Sequence, residues 1–232
     1  MTRAGAYGLW VVGWVAAGSA FAQQTTDSGT ITLQATVSGY VDIASGGPAT
    51  LTGASGGAIT GNTTKGGLLT GVTINLGDVS PLNANAFVRT TVPLRLRSNI
   101  GYSLTISATD FTNAADPLAI QPGDVGFGID NLSRADNGVN AAGVDTPVAA
   151  CVGDPSLDPD ADPATARWDF RPQKSLAYLV TPRKVLGGDR IMRAVPPSLI
   201  GGLTLNTFFA VKPQFFSPGS FTTQVTFTVS TP

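Results

Sequence analysis

The stretch Val88-Arg89-Thr90-Thr91-Val92-Pro93-Leu94-Arg95-Leu96-Arg97-Ser98-Asn99-Ile100-Gly101-Tyr102-Ser103-Leu104-Thr105-Ile106-Ser107-Ala108 decides the fold class. Val88, Thr90, Val92, Leu94 and Leu96 fall at every second position, and Tyr102, Leu104, Ile106 and Ala108 repeat the pattern. A period of two marks a β-strand with one buried face, because successive side chains on a pleated strand point to opposite sides. Pro93 has no N–H to give to a ladder, so it predicts a sheet edge or a bulge. The short connection Ser98-Asn99-Ile100-Gly101 predicts that the two strands form a hairpin.

The same alternation recurs outward from this pair. Ile31, Leu33, Ala35 and Val37, then Val41 and Ile43, make a long first strand with a kink at Gly39. Leu68 to Leu76 predicts another, turning at Gly77-Asp78, and Val125, Phe127 and Ile129 mark a shorter one. Leu203 to Val211 and Ser220 to Ser230 complete the set, joined through a turn near Pro218-Gly219. Only Asp162 to Tyr178 has room for a short helix. Glutamate is absent and lysine scarce, while Thr, Gly, Val and Pro abound, which disfavours helices and favours strands joined by turns. The expected fold is all-β, a single sandwich with Greek-key connections spanning 23–232.

Residues 1–22 read as a secretory signal peptide. Arg3 supplies the basic start, Leu9 to Ala17 the apolar run, and Ala20-Phe21-Ala22 the small-x-small cleavage site. The run is too short and too interrupted by glycine for a transmembrane span. The expected location is therefore the periplasm or the bacterial cell surface, with no transmembrane segment after cleavage. Without Arg3 the chain holds 13 basic and 15 acidic groups, a net charge of −2. That balance gives no reason to expect nucleic acid or an anionic membrane as partner.

Two segments interrupt the strand pattern. The glycine-rich loop 44–67 carries a faint recurrence, Leu51-Thr52-Gly53, Ile59-Thr60-Gly61 and, just beyond it, Leu69-Thr70-Gly71, and reads as a flexible loop or a decorated hairpin. The insertion 130–166 is acidic and runs straight into the basic segment Arg167 to Arg193. The basic segment folds over the acidic loop, or both are solvated, or the acidic face of one copy meets the basic face of the next.

Candidate sites are few. Asp158, Asp160 and Asp162 alternate as at the start of a Ca²⁺ loop, with Asp154 ahead of them. Pro163 stands where an EF-hand needs glycine, so only an irregular Ca²⁺ site is open to these four carboxylates, against a plain Asp-Pro turn string. Cys151 is the single cysteine, so no disulfide forms within the chain; it is either a small buried side chain or a bridge between copies. Histidine and glutamate, two of the commonest general acids and bases, are absent altogether. No catalytic-serine, phosphate-loop or zinc motif is present, and no cofactor is expected. Trp168 is either core or a platform on which a glycan could stack.

The chain closes with Phe215-Phe216-Ser217-Pro218-Gly219-Ser220 and then Phe221, Thr223, Val225, Phe227 and Val229 on one strand face. This ending resembles the closing strand of immunoglobulin-like bacterial surface domains, pilus and fimbrial subunits among them. Ile31, Leu33, Val37, Val41 and Ile43 resemble the donor strand that such subunits insert into a neighbour. The resemblance implies an immunoglobulin-like sandwich and a non-enzymatic structural subunit whose partners are other copies of itself or related surface subunits. It departs from chaperone–usher pilins in having one cysteine and in ending Ser230-Thr231-Pro232. Physically, the N-terminal strand can pair in its own sheet or complete another copy's, with the same hydrogen bonds either way. An extracellular glycan-binding module or adhesin is the alternative reading.

Overall fold

A computed structural model describes residues 35, 39–61, 63–67, 72–82, 87–109, 116–134, 145–157, 160–162, 167–191 and 202–232, with backbone alone at 160–162, 167 and 168. The chain divides into two units, Met1–Val37 and Ser38–Pro232, and every element below belongs to the second. In chain order the strands are β1 (Val41–Ser45), β2 (Thr50–Thr52), β3 (Ala58–Thr60), β4 (Thr73–Asn75), β5 (Val88–Ser98), β6 (Tyr102–Ala108), β7 (Val125–Arg134), β8 (Asp145–Pro147), β9 (Asp160–Asp162), β10 (Arg167–Asp169), β11 (Arg183–Gly188), β12 (Leu203–Val211) and β13 (Val225–Ser230). One turn of helix, α1 (Leu176–Leu179), follows the 3-10 turn Pro172–Lys174.

The protein is an all-β sandwich of two antiparallel sheets. The first is ordered β1-β5-β12-β7, with β2 also pairing β5; the second is ordered β13-β6-β11-β8. Alternate residues of both sheets meet in one core: Val92, Leu94 and Leu96 of β5 and Phe127 and Ile129 of β7 from one side, Leu104 and Ile106 of β6 from the other. Small two-stranded pairs, β3–β4 and β9–β10, sit outside these sheets.

The expected hairpin between β5 and β6 does not form. The connection 99–101 carries the chain from the first sheet to the second, and β5 instead has β12 on one side and β1 and β2 on the other. Alternation specifies which face of a strand is buried and says nothing about its neighbour. Two strands that bury their apolar faces against each other across a core read the same as two that lie side by side. The last connection, 212–224, also crosses between sheets, and the final strand is shorter than its alternation suggests. β6 ends at Ala108, opposite Val225. Before that point one backbone bond remains, from Thr109 N–H to Gln224 O at 3.0 Å, and side chains add the rest: Thr223 Oγ1 donates to Thr109 O at 2.7 Å, and Gln224 N–H donates to Thr109 Oγ1 at 2.9 Å.

Pro93 lies in the middle of a central strand rather than at an edge. Its carbonyl accepts from Gly46 N–H at 2.8 Å, so the side on which its own N–H is missing faces β1 and β2, because both groups of a strand residue point the same way. Ser45 pairs with Leu94 and Thr50 with Thr91, leaving the four residues 46–49 opposite two. The neighbouring strand bulges where Pro93 has no donor to offer it. The bulge half of the expectation holds, displaced onto the partner strand.

Of the glycine-rich loop 44–67, Thr50–Thr52 joins the first sheet as β2, and β3 pairs with β4, which lies beyond the loop's end. The expected strand Leu68–Leu76 is seen over Thr73–Asn75; 68–71 lie outside the described residues. The recurrence now has a cause in its first two copies, since Gly53 and Gly61 each close a short strand with positive φ, +74° and +98°.

Candidate functional site

The two long sides of the sandwich are built differently, and the contrast locates the site. On one side lie β7 and β8. Asp145, at the start of β8, accepts from Arg134 Nη2 and from the buried Tyr102 hydroxyl, each at 2.6 Å on Oδ1, and from Arg134 Nε at 2.5 Å on Oδ2. Arg134 also donates to the carbonyls of Asp189 and Arg190. Burial and the bond to Asp145 push the Tyr102 phenol's pKa well up, so it stays a donor. The ion pair is about nine-tenths buried, with side-chain exposures of 8% and 11%. This clasp joins the end of β7, the start of β8 and the loop after β11.

The remainder of the insertion, with residues 170–179 of the basic segment after it, closes the same side. Val152 bridges Ile129 in parallel, Gly153 N–H donates to Ile129 O at 2.8 Å, and Ser175 bridges Gly126, so the outer edge of β7 is paired. Two glycines permit this approach: a Cβ on Gly128 would stand 2.0 Å from Gly153 O, and one on Gly126 would meet the Phe170 ring at 2.7 Å. Leu176 and Leu179 of α1, with Cys151, plug the core at this side. Cys151 is fully buried, its Sγ 3.7 Å from Gln173 O. Of its two readings the buried one is what the fold contains. Burial raises the thiol pKa, with Lys174 acting the other way.

Asp154 belongs to this closure. Its Oδ2 is 2.7 Å from Arg89 Nη1, and its Oδ1 accepts from Ser156 N–H and Oγ at 2.9 and 2.7 Å. Arg89 in turn lies over the Phe208 ring, 5.1 Å from its centroid. Asp154 therefore anchors the insertion to the outer face of the first sheet. Of the other candidate ligands, Asp158 lies outside the described residues, and the backbone sets Asp160 opposite Asp169 and Asp162 opposite Arg167. Among the described residues no three His, Cys, Asp or Glu side chains gather. Trp168 sits in β10 opposite Ala161, its side chain outside the description. Asp154 and Asp145 of the insertion are ion-paired with Arg89 and Arg134, which come from β5 and β7 rather than from the basic segment. Part of that segment instead forms β11, between β6 and β8.

On the opposite side lie β1, β2 and β13. Val41 and Ile43, the last two residues of the candidate assembly strand, are in β1 and pair within their own sheet, opposite Ser98 and Leu96. Asp42 on the same strand is paired with Arg97. Ile31, Leu33 and Val37, like the proposed signal peptide, lie outside the described residues. β13 is the edge of the second sheet, with β6 on one side and no described strand on the other. Its inward row, Val225, Phe227 and Val229, is only partly buried.

Beside it a cleft of about 200 Å³ opens between β13 and the β4 segment. Val92, Val125, Leu176 and Phe209 floor it; Ile74, Phe221 and Phe227 stand at its walls. An edge strand with unpaired backbone and an apolar cleft beneath it can accept an extended segment, whose amides continue the sheet while alternate side chains enter the cleft. Alternation had marked Phe221 to Val229 as apolar, but not as an edge. No described helix is long and apolar enough to cross a membrane. No family model, curated protein or solved structure matches this chain.

Proposed function

We propose that the chain is a non-enzymatic, exported structural subunit of a cell-surface or fimbrial assembly, in which the N-terminal residues of one copy complete the second sheet of the next. The observation that carries this reading is the β13 edge: a strand paired with β6 on one side and with no described strand on the other, its apolar row half-covered above an apolar cleft. The segment with the matching pattern is Ile31, Leu33, Ala35 and Val37. Val41 and Ile43 belong to the subunit's own sheet and are not donated. The missing histidine and glutamate and the signal-peptide pattern agree with an exported structural part.

Electron microscopy of the mature protein, with and without residues 23–37, tests the proposal. That deletion ends before β1, so the subunit keeps its own pairing. Filaments that vanish on deletion, together with a rise in melting temperature when a peptide of residues 23–37 is added to the shortened protein, support strand exchange. A monomeric mature protein, or filaments indifferent to the deletion, overturns it.

A further inference from the structure

At one end of the sandwich, next to the cleft and sharing Leu76 and Phe221 with it, lies a groove of about 480 Å³. Its walls come from the turn after β4, the loop at 119–120 and the segment 214–221. We infer that this groove binds a neutral saccharide.

The chemistry of the lining carries the inference. Phe215, Phe216 and Phe221 supply flat apolar faces, and Phe215 is 83% exposed beside the opening. Asn75 and Gln214 supply amides that both donate and accept; Asp78 and the lining serines add acceptors and hydroxyls. Among the described lining residues there is no lysine or arginine, and Asp78 is the one charge. A ligand with an apolar ring face and a rim of hydroxyls fits such walls. An anionic one, whether phosphate, sulfate or sialic acid, meets no compensating cation and one like charge. The volume lies within the usual range for small-ligand sites, roughly 300–1,000 Å³.

The groove is also held ready. Asn75 Oδ1 accepts from Gly77 N–H at 2.9 Å, Asp78 Oδ1 accepts from Ser80 N–H at 2.8 Å, and Ser217 N–H donates to Leu118 O at 3.0 Å. Gly77 has φ +73°, and a Cβ there would stand 2.2 Å from Ser55 O, so the turn that presents Asn75 and Asp78 requires glycine. Walls fixed before binding reduce the entropy lost on capture. The inference is independent of strand exchange, because neither Phe215 nor Asn75 lines the cleft beside β13.

The test screens the mature protein against an array of neutral, sialylated and sulfated oligosaccharides, then titrates the retained sugars by calorimetry. Retention of neutral sugars is expected. Phe215→Ala should weaken them roughly five- to tenfold, the loss of one aromatic contact, with the melting temperature unchanged. Asn75→Ala should weaken them further. Failure to retain any neutral sugar, retention confined to anionic ones, or binding undiminished by both substitutions overturns the inference. Filament formation does not enter this readout, so either reading can fail without the other.

Discussion

The β7/β8 side and the β1/β13 side of the sandwich solve the same problem in opposite ways. Any sheet edge presents unpaired backbone groups that invite another chain. On the β7/β8 side the invitation is withdrawn: the backbone at 152–153 and Ser175 pair with β7, β8 is three residues long and ends in Pro147, and the Arg134–Asp145–Tyr102 clasp locks the side together. On the other side β1 and β2 are guarded by a bulge and by the Asp42–Arg97 pair, while β13 has no such device among the described residues. In the proposed assembly, a sandwich closed on one side and with an edge on the other could grow in one direction without pairing indiscriminately. The acidic insertion, together with Ser175 and α1 from the basic segment, is thus best understood as the closing device.

Four measurements can break or sharpen this contrast, taken from the largest effect downward. Arg134→Met leaves a buried carboxylate without its partner and should cost about 3–5 kcal/mol in urea unfolding. A loss under about 1 kcal/mol would mean that the clasp behaves as a surface pair. Gly128→Ala drives a methyl group against the carbonyl of Gly153 and should cost roughly 1–3 kcal/mol, as overpacking does. Because it lifts the insertion off β7, light scattering should also show new self-association.

On the open side the ordering of effects reverses. Phe227 is only partly buried, so Phe227→Ala should cost on the order of 1 kcal/mol, well below the 3–5 of a buried phenylalanine such as Phe127. Assembly should nevertheless fall by far more than stability does, because the row that receives the incoming segment is interrupted. The smallest effect is one of pH. Burial raises the Cys151 pKa, so the folded thiol keeps its proton where the unfolded one, with pKa about 8.5, loses it. The stability this contributes is complete below that value and is lost as pH rises toward the folded pKa. Tyr102 acts in the same sense at higher pH, above about 10. Unfolding free energy should decline from about pH 8.5, and Cys151→Ala should remove the first part of that slope.

Much of the first sheet was legible because its strands are long and alternate cleanly. β5, β7 and β12 all lie where Val88, Val125 and Leu203 begin their runs. β11 was not legible, although it lies inside the second sheet. Its buried core is Val185-Leu186-Gly187, flanked by charge and distorted by a register shift between Lys184 and Leu186, too short and irregular for a period to show. β8, at three residues, offered no pattern either. The acidic string suggested a cation because aspartates cluster in sequence. In the structure Asp154 turns toward Arg89, a residue 65 positions earlier, which no spacing within the string could reveal. The open edge was half legible: the apolar face of Phe221 to Val229 was evident, its lack of a second neighbour was not.

The sequence by itself determined that this chain is all-β, which faces of its strands are apolar, and that acid–base chemistry would have to proceed without histidine or glutamate. Those properties are local, written in a two-residue period and in composition. Only the tertiary structure decided that β5 and β6 part company across the core, that the acidic insertion helps to seal one side, and that β13 has no outer neighbour among the described residues. These depend on which strand lies beside which, and the hydrogen bonds of a sheet run between backbones that are the same for every residue but proline.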